Sequence, residues 1–389
     1  MSSIVLSASV RQNLLSLQST ADLLSTTQNR LATGKKVNTA LDNPTNYFTA
    51  ASLDSRASDI NNLLDGIGNG VQVLQAANTG ITSLQKLVDT AKSIANQVLQ
   101  TTVGYTSKST ATSAVAVGTA ANIVDGTGIK SGDTLAIAST GGGTATSITF
   151  GASETLDQLN TALAANNLSA SLDNAGKLVI TTTNDAASST IGAITQTSAG
   201  TAGSAFQSIT PTAPVADAAS QAIRSNLVGQ YNNIIAQITT TAQDASFNGI
   251  NLLNGDNLKL TFNETGKSTL SITGVTYNAT GLGLNALVAG TDFKDNNSAN
   301  KALTAIGAAS ALLRNEASTL GSNLSIVQIR QDFSKSLINV LQTGSANLTL
   351  ADTNEEAANS QALATRQSIA VSALALANQS QQSVLQLLR

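Results

Sequence analysis

Apolar residues recur at both ends of the chain at alternating spacings of four and three, the period of a helix that buries a stripe against a neighbour. Toward the C-terminus the stripe is Leu363, Ala370, Leu374, Ala377, Val384 and Leu388, with Gln367 and Gln381 in the gaps. A second stripe, Ile369, Ala373, Leu376, Ser380 and Leu387, runs beside it. No Gly or Pro interrupts the segment and its only charges are Arg366 and Arg389, so one helix of about 40 Å is predicted. The N-terminal segment carries the same rhythm in Val10, Leu14, Leu17, Ala21, Leu24, Gln28 and Leu31. One helix cannot bury two stripes against itself. The ends therefore form either a helical hairpin within a monomer or seams buried against other copies of the chain.

Between the ends the pattern continues. Gly34 reads as the residue that closes the first helix, and Asn43-Pro44 as N-cap and first residue of the next. A seam then runs through Ile60, Leu64, Ile67, Val71, Leu74, Ile81, Leu84, Val88, Ala91, Ala95 and Val98. Gly66, Gly68 and Gly70 lie inside it and cost about 1 kcal/mol each. The phase is unbroken across them, which predicts one weakened but continuous helix. A third helix is predicted from Asp217 to Ala242, with Ile223, Leu227, Tyr231, Ile234 and Ile238 on one face. The longest seam is Ile306, Ser310, Leu313, Ala317, Leu320, Leu324, Val327, Gln331, Ser334, Ile338 and Leu341, with a break expected at Gly344. Leu258–Phe262 and Thr269–Ile272 read as a hairpin around Glu264-Thr265-Gly266-Lys267.

After Gly104 the composition turns to Thr, Ser, Gly and Ala as far as Pro214. Short strands are expected at Thr134–Ala138 and Ser147–Phe150, a helix at Thr155–Asn167, and two strands in Leu168–Thr181 joined by an Asp-Asn-Ala-Gly turn. The flanks of this small α+β insert read as linkers. The fold class that follows is mainly α with a β-containing insert. Long coiled-coil-like helices from both chain ends form a nested rod, and the insert is a small outer domain. Residues 1–42 and 345–389 are the terminal helices. Residues 43–104 and 215–344 are the helical rod domain with its hairpin, and 105–214 the surface-exposed insert. Rod packing is assigned to Ile67, Leu74, Ile81, Leu313, Leu320, Leu324 and Val327.

Composition narrows the chemistry. The chain has 389 residues, a net charge of −3 and only 11% charged residues, so no nucleic-acid footprint is indicated. Aromatics make up 3% and there is no Trp, leaving Ala, Leu, Ile and Val to pack long helices closely. Cys and His are both absent. That excludes disulfides, imidazole bases and ordinary zinc sites, and with them the His-Glu-x-x-His metalloprotease motif. Gly141-Gly142-Gly143 lacks the Gly-Lys-Ser/Thr ending of a phosphate loop and reads as a strand connector. No cofactor and no enzymatic activity are expected. No run of 18 apolar residues exists, and the N-terminus lacks the basic-then-apolar layout of a Sec signal, so no membrane partner is expected and any export would leave the N-terminus uncut.

Four ordered motifs resemble bacterial flagellins. RLATGKKVNTALDNP (Arg30 to Pro44) resembles R-L-S-S-G-x-x-I-N-S-A-x-D-D, and DGIGNGVQVLQAANTGI (Asp65 to Ile81) matches D-G-I-S…Q-T-A-E-G-A. FNGINLLNG resembles F-N-G-x-x-L-L, and ANQSQQSVLQLLR at the end is similar to A-N-Q…V-L-x-L-L. Ile123 to Ile180 resembles a small repeat domain found inside flagellins and hook-associated proteins. Three features depart from the pattern: Pro44 replaces an Ala, LTLADTNEEAA is a reduced form of a longer segment, and the insert precedes FNG. The resemblance implies a structural subunit that polymerises through heterologous helical contacts into the flagellar filament for swimming motility, extracellular and exported by a type III route. Implied partners are other copies of itself, sister flagellins, hook-associated and cap proteins, and an export chaperone. The filament-core interface is then expected at Val10, Leu14, Leu17, Leu24, Leu31, Leu363, Leu374, Leu376, Val384 and Leu388. A hook–filament junction protein shares both terminal seams and is the alternative; the FNG motif and the VLQLLR ending favour flagellin.

Overall fold

Both end stripes lie on helices in a computed structural model of the chain, which describes residues 8–197, 201 and 203–387. Helix α1 spans Ala8–Thr33 and stops at Gly34, whose φ of +68° is one that a residue with a side chain adopts only under strain. Helix α2, Pro44–Gln100, starts as expected: the Asn43 Oδ1 accepts from the Asn46 N–H at 3.0 Å. It runs unbroken through Gly66, Gly68 and Gly70. Helix α3 spans Leu156–Ala164, α4 Ala218–Asp244, α5 Asn296–Thr349 and α6 Thr353–Leu387. Helix α5 continues through Gly344, where a break was expected. A lone glycine weakens a helix by only about 1 kcal/mol, and the buried positions on either side, Leu341 and Ser345, hold the phase.

The chain divides into two compact units. The first comprises Met1–Gly70, Lys259–Leu270 and Ile326–Arg389. In it α1 packs against α6. Ala57 and Ile60 of α2 form a core with Ile338 and Leu341 of α5, lined by Leu53, Leu64 and Leu337. Strands β9 (Leu258–Thr261) and β10 (Thr269–Ile272) make the expected hairpin. Gly70 explains one of the helix's costly glycines: a Cβ there would stand 2.4 Å from the Leu260 Cδ2, so the hairpin seats its leucine where a side chain is missing. Arg56 donates to Glu264 at 2.8 Å, and Arg330 lies 5.6 Å from the Phe262 ring centroid.

The second unit comprises Val71–Leu258 and Ser271–Ser325. Its seams are buried as the pattern predicts on α2 (Leu74, Ile81, Leu84, Val88, Ala91, Ala95, Val98) and α5 (Ile306, Leu313, Leu320). Helix α4 differs. Ile223 is exposed, and Arg224 takes the inward position beside Leu227, Tyr231 and Ile238. The guanidinium reaches carbonyls that no leucine or isoleucine could satisfy: Nε donates to the Thr102 oxygen at 2.9 Å, and Nη1 to that of Phe293 at 2.9 Å. The FNGINLLNG segment is a tight turn followed by a cap. Asn248 and Gly249 both adopt positive φ, +50° and +79°. Phe247 and Ile250 exchange backbone hydrogen bonds across them at 3.0 Å, the geometry that favours Asn-Gly. Asn251 then donates to the Ala242 and Gln243 carbonyls, at 2.8 Å each, closing the end of α4.

Residues between Ala111 and Phe206 of this unit share one core cluster and make up a module. Strands β2 (Thr110–Ala116), β6 (Lys177–Thr182) and β5 (Leu168–Leu172) make one antiparallel sheet, in that order. Strands β4 (Thr146–Thr149), β3 (Thr134–Ile137) and β7 (Ile194–Thr197) make another. Ile123, Leu135, Phe150, Leu159, Leu178 and Phe206 belong to one core cluster. Helix α3 begins with a capping box between Thr155 and Gln158. The flanks expected as linkers contain strands, β2 and β7. In β2, Ala111 and Ser113 face inward while Thr112 and Ala114 face out, an alternation that small residues make hard to see. At the root, β1 (Tyr105–Ser107) pairs with β8 (Val215–Ala216), and the Thr212 N–H donates to the Thr110 carbonyl at 2.8 Å. The module's two ends are thus a hydrogen bond apart. Removing residues 110–213 and joining the cut with two glycines should leave the helices folded; a thermal melt followed by circular dichroism checks this, and loss of the cooperative melt would show that the helices depend on the module.

Candidate self-assembly surface

The first unit leaves much of its apolar surface uncovered. Most of the exposed large apolar side chains among the described residues belong to it, including Leu14, Leu15, Leu23, Leu31, Leu41, Phe48, Ile329, Phe333, Val340, Ile369 and Leu376. A soluble monomer seldom exposes so many large apolar side chains on one unit without a use for them.

The end helices show how the expected interface residues are divided. On α1, Val10 is buried, Leu17 and Leu24 are half-buried, and Leu14 and Leu31 are exposed. On α6, Leu363 and Leu374 are half-buried whereas Leu376 is 70% exposed. The side chain of Val384 and the whole of Leu388 lie outside the described residues. One stripe of each helix thus contributes to the α1–α6 contact, and Ile369, Ala373, Leu376 and Ser380 of the second stripe of α6 are exposed. Both arrangements that the sequence left open coexist: an internal hairpin and an unpartnered face. Arg30 and Glu356 join the two helices at 3.3 Å. The residues assigned to internal packing, Ile67, Leu74, Ile81, Leu313, Leu320 and Val327, are buried, and Leu324 is half-buried.

A further seam escaped the sequence reading. Ile326, Ile329, Phe333 and Val340 of α5 are all exposed. Ile326, Phe333 and Val340 repeat at sevens, one position out of phase with the buried Val327, Ser334 and Leu341. The signal was present as a second apolar heptad, hidden beside the stronger one.

The connector between α1 and α2 is held rigidly. Lys36 and Val37 donate backbone N–H groups to the Thr349 carbonyl at 2.7 and 3.3 Å, and Ala351 donates to that of Gly34 at 3.0 Å. The Asp42 carboxylate accepts from the N–H groups of Thr39 at 2.8 Å and Asn38 at 3.0 Å. These bonds, that from Thr39 first, hold its pKa below the usual carboxylate value. A depressed carboxylate pKa stabilises the loop above the ordinary range and loses that contribution as pH falls through the lowered value. Backbone NMR of Thr39 should therefore show the loop intact down to about pH 4 and opening only below it, with the step absent in Asp42→Ala.

Two family models match the chain. One describes the bacterial flagellin N-terminal helical region and covers residues 4–127; the other describes the C-terminal helical region and covers residues 303–388. The chain belongs to the bacterial flagellin family. Flagellin FljM of Caulobacter vibrioides is 34% identical over 168 residues, 42% of this chain and 59% of that protein. A flagellin of Brucella melitensis is 30% identical over 171 residues, 41% of this chain and 60% of that one. Flagellin A of Rhizobium meliloti is 37% identical over 106 residues, 27% of this chain and 23% of that one. The match thus spans about three-fifths of the length of the first two. In this flagellin the two matched regions contain α1 and α6, as well as the α5 segment that bears the outer seam. No helix among its described residues is long and apolar enough to cross a membrane.

Proposed function

We propose that this flagellin is a structural subunit that polymerises through heterologous contacts into an extracellular flagellar filament serving swimming motility. The observation that carries the reading is the uncovered apolar face of the first unit, built by helices from both chain ends. Burial of apolar area contributes about 25 cal/mol per Å², so covering such a face by neighbouring copies drives assembly. Contacts that do not close on themselves generate a fibre. In this reading residues 1–42 and 345–389 supply the filament core, through Val10, Leu14, Leu17, Leu24, Leu31, Leu363, Leu374, Leu376, Val384 and Leu388. Residues 43–104 and 215–344 supply the surrounding helical layer, and 105–214 the exposed outer module. Sister flagellins, cap and hook-associated proteins and an export chaperone are the further partners that a flagellin role entails. Salt-induced assembly of the purified protein, viewed by electron microscopy, tests it. Long filaments from this chain alone are expected, and a chain that stays monomeric under all assembly conditions defeats the proposal.

A further inference from the structure

We infer that the cleft between the inserted module and the first turns of α5 binds a neutral, polyhydroxylated ligand of the sugar class, with the Tyr231 hydroxyl as its anchor. The inference goes beyond the filament reading and does not depend on it.

The cleft has a volume of about 410 Å³, within the range of about 300–1,000 Å³ that small-molecule sites occupy. Three parts of the second unit build it: two short stretches of the module at Gly141 and Ser188, Tyr231 of α4, and the chain that runs from Gly283 into α5. Its walls are joined before any ligand arrives. The Ser188 hydroxyl donates to Asp295 Oδ2 at 2.5 Å, and the Asn297 side-chain amide donates to the Gly141 carbonyl at 2.8 Å. The other Asp295 oxygen accepts from the Ser298 N–H at 2.9 Å, so one carboxylate both caps α5 and holds the module. A preformed site spares its ligand much of the ordering cost of binding.

Tyr231 points to an occupant. It lines the cleft and is only 1% exposed, yet its hydroxyl makes no hydrogen bond among the described residues. The ring is held edge-on against Phe293, with centroids 5.9 Å apart. A buried tyrosine hydroxyl normally finds a partner, because a buried polar group left unpaired is destabilising. Phenylalanine would give the same packing without that penalty. Burial pushes the Tyr231 pKa up to about 12, so the group stays a neutral O–H that can both donate and accept.

The lining selects the class of ligand. Its charges balance, Lys294 and Lys301 against Asp292 and Asp295, so a charged molecule gains no net attraction there. The hydrogen-bonding capacity left over is of both kinds. Neither ammonium has an ion-pair partner among the described residues, and the Ser189 hydroxyl is likewise free to donate. Asp292 spends one oxygen on the Val288 N–H at 2.7 Å, which leaves the other to accept. Neighbouring hydroxyls on one ring, each a donor and an acceptor, match that mixture. Leu287, Ala302 and Ala305 add an apolar strip of the kind that covers the C–H face of a sugar.

Titration of the full-length monomer with glucose, galactose, mannose and N-acetylglucosamine, followed by backbone NMR, tests the site; phosphate and glutamate serve as charged comparators. At least one of the sugars is expected to bind at millimolar concentration and to shift the amides of Ser188, Ser189 and residues 292–298. Tyr231→Phe should weaken that binding about fivefold, the effect of losing one hydrogen bond. In the absence of sugar the same variant should melt at the parent's temperature or above it, since the hydroxyl it removes has no partner there. A free sugar and the end of a glycan chain share this chemistry. Equal binding of the methyl glycoside and its parent sugar assigns the glycan end, and preference for the parent assigns the free sugar. The proposal is overturned if no sugar shifts these amides, if only the charged comparators do, or if binding is indifferent to Tyr231→Phe. A lowered melting temperature for Tyr231→Phe would equally overturn it, by showing that the hydroxyl already serves the fold.

Discussion

Replacing Leu374 with Asp should abolish polymerisation while the second unit stays folded. Leu374 is half-buried on the stripe of α6 that the α1–α6 contact uses. A carboxylate there faces a seam whose other members are Leu363, Ala370 and Ala377, and no cation of α6 between Leu363 and Leu387 but Arg366 is available to it. Burying an unpaired charge costs several kcal/mol, and in a polymer the penalty recurs at every subunit. Leu24→Asp, on the facing stripe of α1, should do the same. Sedimentation after salt-induced assembly reads the loss. The melt of the second unit, whose buried seams share no residue with this contact, controls for global unfolding. Full-length filaments from either variant would show that this seam does not need to be dry.

The helical framework was legible because its signal is redundant. Along α2 and α5 every position read as inward-facing is buried or half-buried, and the repeated four-three phase outweighed four glycines in one helix and three in the other. The capping signals at Gly34 and Asn43 also fell where local chemistry puts them. Strands made of Thr, Ser and Ala were not legible. Burial alternates along β2 as it does in any half-buried strand, but residues that differ little in hydropathy cannot display it, so composition there suggested linkers. The candidate surface was half legible. The paired stripes of α6 announced that one face would lack a partner within the chain, whereas the outer seam of α5 was masked by the buried seam one residue away. The cleft at Tyr231 had no sequence signal at all. Its walls are joined by bonds from Ser188 to Asp295 and from Asn297 to Gly141, pairs that are distant in sequence.

Arg224 was hidden for a different reason: a charge on an apolar face reads as a boundary of that face, not as its centre. Yet it is 1% exposed and joins three segments that sequence alone leaves unconnected. Its Nε bonds to the Thr102 carbonyl beyond the end of α2, Nη1 to the Phe293 carbonyl, and Nη2 to the Asn296 Oδ1 at 3.2 Å where α5 begins. Gln221, one turn away, holds the Gly104 carbonyl at 3.0 Å, at the root of the module. Burial pushes the guanidinium pKa down and the nearby Asp295 pushes it back up, which leaves it protonated at any physiological pH. Arg224→Met should therefore be among the most destabilising single changes in the second unit. Methionine fills much of the volume but leaves the buried Phe293 carbonyl and the part-buried Thr102 carbonyl and Asn296 Oδ1 without their donor, and a buried group left unpaired costs about 1–3 kcal/mol. A loss of roughly 3 kcal/mol or more is expected, lowering the melting midpoint of that unit by about 10 °C. Arg224→Lys should recover little, since an ammonium cannot span three acceptors arranged around a planar fork. The inserted module, with a separate core around Phe150 and Phe206, should keep its own protection in hydrogen exchange while amides near Thr102 and Asn296 lose theirs. A variant that melts within a degree of the parent, or whose module unfolds together with the helices, would show that Arg224 does not hold this junction.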